Sequence, residues 1–127
     1  MPFVLDQSPT YKFKVDINIV SNGKETTESF IALFKNVTQS RFKEMIKMVE
    51  EKEIEDVDVA REVLMGWEEM ENADGTDVEF NKENLDKALD VMGFATAVGF
   101  AFMESCKLRF EKNYSWQVSI GLLAQLS

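Results

Sequence analysis

Large apolar residues alternate with polar ones from Tyr11 to Ile19, reading Tyr-Lys-Phe-Lys-Val-Asp-Ile-Asn-Ile, the two-residue period of a strand with one buried face. Ser21-Asn22-Gly23-Lys24 follows, and Asn-Gly tolerates the positive φ that a tight hairpin turn requires at both central positions. Beyond the turn, Phe30, Ala32 and Phe34 again share one face. The pattern predicts a β-hairpin over about residues 11–35. An isolated hairpin is marginal in water, so its apolar face must lie on helices or on another chain's strands.

After Val37 the period lengthens. Phe42, Met45, Ile46 and Val49 fall at i, i+3, i+4 and i+7, with Thr38 placed to cap that helix and Val37 to staple onto Phe42. Val57, Ala60, Leu64 and Trp67 form a second helical stripe that Gly66 and Trp67 close. Asp74-Gly75 supplies turn chemistry, Asn81 stands where it can cap a third helix, and Phe80 can pack on Leu85 inside it. Leu85, Ala88, Leu89 and Met92 are that helix's stripe.

A fourth helix is predicted from about Gly93 to Lys112. In its first half, apolar residues from Phe94 to Met103 point in nearly every direction around the axis. A helix apolar all round is buried on all sides, by its own domain or in part by another protein. No charged residue lies between Tyr114 and Ser127, unlike most chain termini, which are solvated. Tyr114, Trp116, Val118 and Ile120 fit a strand, whereas Trp116, Ile120 and Leu123 fit a helix, so periodicity leaves this tail open. It either folds back on the core or docks on a partner. The elements add up to an α+β fold, an N-terminal β-hairpin packed on a mainly helical domain of about four helices. One domain spans 1–127, divided into an arm (1–10), the hairpin (11–35), a helical region (38–112) and an apolar tail (113–127).

At 127 residues and 45% hydrophobic the chain can bury a sizeable core, which argues against disorder throughout. The lone Cys106 cannot form an internal disulfide, and Met-Pro-Phe-Val-Leu-Asp at the start has no basic, then apolar, export pattern; the expectation is a cytoplasmic protein. The apolar run Val91–Met103 falls short of the roughly 20 residues that cross a bilayer. Residues 50–90 carry 16 acidic and 4 basic side chains, a net of −12, while the rest of the chain carries +3. That acidic middle repels phosphates and argues against binding nucleic acid.

Catalytic chemistry is thin. The sequence contains no histidine, the commonest general base and zinc ligand, and a single cysteine cannot build a thiolate metal site. No Gly-rich phosphate loop occurs. Aligning Gly75 with the sixth position of a calcium loop puts Met70 first and Asn81 twelfth, where carboxylates are needed, so that reading fails. Adjacent carboxylates such as Glu68 and Glu69 point apart on a helix. The sequence predicts a protein that is not an enzyme, with no cofactor and no metal.

Leu64-Met-Gly66-Trp67, Asp74-Gly75, Val78-Glu-Phe80, Asn81 and Glu83-Asn84-Leu85 together resemble the tail assembly chaperones of long-tailed bacteriophages and prophages. In that family a Gly-Trp closes a helix ahead of an acidic turn, an apolar-x-aromatic pair and a capped helix carrying Glu-Asn-Leu. Phe30-Ile-Ala-Leu-Phe34 and Phe94-Ala-Thr-Ala-Val98 fit the family's second strand and last helix, and the match covers most of Tyr11 to Asn113. The resemblance implies a non-catalytic protein that coats the apolar tape measure protein, keeps it soluble, helps recruit tail tube subunits, and is left out of the mature virion. The apolar fourth helix and the charge-free tail offer surface for that role, and Phe100, Phe102, Trp116 and Ile120 are the residues expected to contribute to self-association or client contact. Two other classes compete: a small acidic decoy of DNA, suggested by the −12 segment, and a structural tail subunit, which would be mostly β.

Overall fold

The computed structural model describes residues 1–113, with side chains to Arg109. Its architecture is α+β. Strands β1 (Thr10–Ser21) and β2 (Lys24–Lys35) are followed by helices α1 (Gln39–Glu50) and α2 (Asp56–Val63), strand β3 (Leu64–Glu68), and helices α3 (Lys82–Leu89) and α4 (Phe94–Asn113).

β1 and β2 form the expected antiparallel hairpin, with Tyr11 opposite Phe34 and Val15 opposite Phe30. Asn22 (φ +53°) and Gly23 (φ +74°) make the turn, the positive pair that matches strand twist. β3 then pairs with β2 on its other side, giving the order β1-β2-β3. Ala32 faces Trp67, Leu33 faces Gly66 and Phe34 faces Leu64, with a register shift between Leu33 and Phe34. Gly66 and Trp67 therefore lie in a strand and do not close a helix, and the stretch 38–112 is not helical throughout. The cause is the bulge. Met65 is the extra residue, so Leu64 and Trp67 reach the same sheet face although they stand three apart, a spacing that mimics a helix.

The core fills the space between this sheet face and the helices. Val15, Phe30, Ala32 and Phe34 from the sheet meet Phe42, Met45 and Ile46 of α1, Val59, Ala60 and Val63 of α2, and Phe94, Val98 and Phe102 of α4, all buried. Phe34 is the hub. Its ring sits edge-on to Tyr11 at 5.9 Å and to Phe102 at 5.5 Å, while Phe30 stacks on Phe94 at 5.4 Å. Such edge-to-face and offset pairs add to the energy of burial itself.

Local chemistry sets the helix boundaries. Thr38 Oγ1 accepts from the Arg41 N–H at 3.1 Å. α1 ends with Lys52 at φ +59°, where Lys52 N–H donates to the Val49 carbonyl and Glu53 N–H to the Met48 carbonyl, the paired bonds of a Schellman ending. Glu55 and Asp58 form a capping box for α2, and Asn81 accepts from Asn84 N–H at 2.8 Å to start α3. The helices are tied laterally by Arg41 to Glu62 and by Arg61 to Asp86 at 2.8 Å. Between α3 and α4 the axis turns by 98° at Gly93 (φ +87°), so α3 stops before Met92, which is almost wholly exposed. No single helix among the described residues is long and apolar enough to cross a membrane.

Candidate interaction surface

Two of the segments that carry the family resemblance meet at one indole. Trp67 reaches from β3 to donate its Nε1–H to the Val78 carbonyl at 2.8 Å, and Phe80 sits edge-on to it at 4.7 Å. Between them, residues 70–78 close a small loop. Val78 N–H donates to Met70 O, Asn72 N–H to Thr76 O and Gly75 N–H to Asn72 O. Asp74 accepts from both the backbone and the hydroxyl of Thr76, at 3.0 and 2.6 Å. Those bonds, the hydroxyl's first, hold its carboxyl below the usual range. Gly75 takes φ +86°, which a side chain would resist. Asn84 Nδ2 donates back to the Glu79 carbonyl at 2.8 Å. Gly66, Trp67, Asp74, Gly75, Phe80, Asn81 and Asn84 thus act as one structural unit that locks β3 to α3, with Leu85 half-buried against the core.

Of the residues singled out for client or self-contact, Phe102 is wholly buried against Phe34 and Phe42. Inside the fold it has no face to offer, and it belongs to the core. Phe100 is 67% exposed on the outer side of α4. Trp116 and Ile120 lie outside the described residues. The apolar circumference of α4 is therefore covered over most of its girth but not around Phe100 and Leu108, both exposed.

Other apolar side chains are left outside too. Phe3, Val4 and Leu5 are exposed in succession in the N-terminal arm. The base of that arm is pinned by Asn36, whose N–H donates to Pro9 O at 2.9 Å and whose Nδ2 donates to Ser8 O at 3.1 Å. Arg109 Nη1 donates to Asn36 Oδ1 at 3.0 Å, which brings Leu108 and the exit of α4 to the same end as the arm. Isolated exposed apolar residues are ordinary, whereas three exposed in succession are less so. Phe3, Val4 and Leu5 have no periodicity, so no pattern in the sequence singles them out.

At this end a polar buttress supports the sheet. Ser105 Oγ donates to the Phe102 carbonyl at 2.6 Å, so the 2.7 Å contact with Tyr11 uses the phenol's proton. Burial pushes the Tyr11 phenol up to about 12, and Arg109 lies 4.4 Å over its ring. The Cys106 thiol is likewise pushed up to about 11 by burial, which leaves little nucleophilic thiolate.

Many acidic side chains have structural tasks. Glu62 is bound to Arg41, whose hydrogen bonds hold its carboxyl below the usual value. Asp86 pairs with Arg61, Glu68 with Lys12, Glu83 with Lys87, and Asp56 accepts from Thr96 at 3.0 Å. Near the end of α1, the Glu53 pKa is raised, first by the hydrogen bond its protonated carboxyl donates to Glu51 and then by repulsion from that neighbouring carboxylate. Among the described residues no three His, Cys, Asp or Glu side chains are grouped as a metal would need. Comparison with family models, with curated proteins and with solved structures gives no match.

Proposed function

We propose that this chain is a tail assembly chaperone of the long-tailed phage and prophage kind. It binds an apolar, helix-rich tape measure protein, keeps it soluble in the host cytoplasm, and helps bring tail tube subunits to it. The observation that carries the reading is apolar surface the core does not use: Phe100 and Leu108 on α4, with Phe3, Val4 and Leu5 at the end where α4 exits. An amphipathic client helix buries its apolar face against such residues, and the −12 stretch at 50–90 keeps the complex in solution by repulsion between copies. The DNA-decoy alternative draws less support, because Glu62, Glu68, Asp86 and Asp56 are engaged in ion pairs and hydrogen bonds within the fold and do not form a free, evenly spaced row.

Co-expression with a tape measure protein from the same genome tests this. The wild-type chain should raise the soluble fraction of the client, and Phe100→Glu combined with Leu108→Glu should lose that effect while the helical circular dichroism is retained. An insoluble client beside abundant wild-type chain, or full rescue by the double variant, overturns the proposal.

A further inference from the structure

The hairpin is longer than the body that supports it. β3 pairs only with Ile31–Phe34 of β2, and the core beneath the sheet reaches Val15 and Phe30. Beyond that level Ile17 packs only partly on the core, and Ile19, on the same face, is half-exposed. A two-stranded ribbon of this kind is marginal by itself in water.

Among the described residues nothing pairs with the outer edge of β1. The two-residue turn makes Ser21 and Lys24 a hydrogen-bonded pair, so odd-numbered residues of β1 bond toward β2. The bond from Asn36 N–H to Pro9 O at the far end keeps the same phase. The backbone groups of Lys12, Lys14, Asp16 and Asn18 therefore point outward from the twelve-residue strand, with no backbone partner among the described residues.

We propose that β1 pairs antiparallel with β1 of a second copy, about a two-fold axis at Val15, joining two three-stranded sheets into one. The charges select this register. With Val15 opposite itself, Lys14 stands across from Asp16 of the second copy, and Asp16 across from its Lys14. A slip of two residues one way sets Lys14 against Lys14, with Asp16 then across from Lys12, and the other way sets Asp16 against Asp16 with no opposite charge across from Lys14; only the Val15 register pairs opposite charges without a like-charge contact. On the inner face the same register puts Ile17 beside Phe13 and Ile19 beside Tyr11 of the second copy. The unsupported half of each hairpin is then flanked by the core-backed half of the other. Lys14 and Asp16 are both exposed and 3.7 Å apart within one chain, an exposed pair of little intrinsic worth; Asp16 Oδ1 also accepts from Ser29 Oγ at 2.5 Å, and its other oxygen is the one that meets Lys14 of the second copy. The proposal is independent of the client reading, since it concerns a different edge of the molecule.

Sedimentation equilibrium of the full chain at low salt tests it. The wild type should be dimeric. Lys14→Asp and Asp16→Lys singly should each weaken the dimer about tenfold or more, because each creates two like-charge contacts. The double exchange Lys14→Asp with Asp16→Lys should restore it. Asn18→Pro, which removes an outward N–H and leaves the β1–β2 bonds intact, should yield a folded monomer by circular dichroism. A monomeric wild type, a dimer indifferent to the single reversals, or a double exchange that fails to recover dimerisation overturns the proposal.

Discussion

Replacing Trp67 by phenylalanine tests the joint between β3 and α3. The indole is 8% exposed, and an aromatic side chain of this size buries about 200 Å². At about 25 cal/mol per Å² this amounts to about 5 kcal/mol, an upper bound because unfolded chains already bury some of their surface. Trp67→Ala should therefore cost about 4 kcal/mol, as large-to-small core changes do. Phenylalanine keeps most of the buried area but loses the Nε1–H that meets the Val78 carbonyl at 2.8 Å, worth about 1 kcal/mol with a partner left behind. The void left by the smaller ring costs about 1 kcal/mol more. The expected loss is about 2 kcal/mol, a sizeable part of the roughly 5–15 kcal/mol that holds a domain together. Urea unfolding followed by far-ultraviolet circular dichroism reads it as a lower midpoint at unchanged slope. A Trp67→Phe variant within about 0.5 kcal/mol of wild type, inside the scatter of neutral surface changes, would refute the Val78 bond and the joint between β3 and α3 built on it.

Four further outcomes follow from the same geometry. Lys52→Gly should stabilise the chain by about 1 kcal/mol, because Lys52 holds φ +59° at a helix end where glycine is unstrained; thermal unfolding checks it. A Cβ added at Gly66 would stand 2.8 Å from Leu33 Cδ1, so Gly66→Ala should be about 0.5 kcal/mol or more worse with Leu33 present than in a Leu33→Ala background, a coupling that a double-mutant cycle isolates. Glu62 has its pKa depressed by Arg41, so its contribution is present above the unfolded carboxylate value and lost as pH falls through the lower folded one; the deficit of Glu62→Gln should hold from neutral pH to about 5 and shrink below about 4. Asn81→Ala removes the acceptor for Asn84 N–H and should cost about 1 kcal/mol in urea unfolding.

The hairpin was legible because its signals are local. The alternation from Tyr11, the Asn22-Gly23 turn and the Phe30, Ala32, Phe34 face all act within neighbouring residues, as do the caps at Thr38 and Asn81. β3 was hidden because the bulge at Met65 put Leu64 and Trp67 at helical spacing while both face the core from a strand. Nor could periodicity divide Phe100 from Phe102. Both lie in an apolar helix, and only the positions of Phe34 and Phe42 decide that one is core and the other surface. The arm residues Phe3, Val4 and Leu5 gain meaning only from the Asn36 and Arg109 bonds, which join segments far apart in sequence.

The central claim is that apolar side chains outside the core bind an apolar client. Fluorescence anisotropy of a labelled helix-forming segment of tape measure protein, titrated with the full chain, measures this directly. Saturable binding should weaken about tenfold or more when Phe100→Glu and Leu108→Glu are combined, since burying either side chain is worth about 1.5–3 kcal/mol. No binding by the wild type, or equal binding by the folded double variant, would contradict the account.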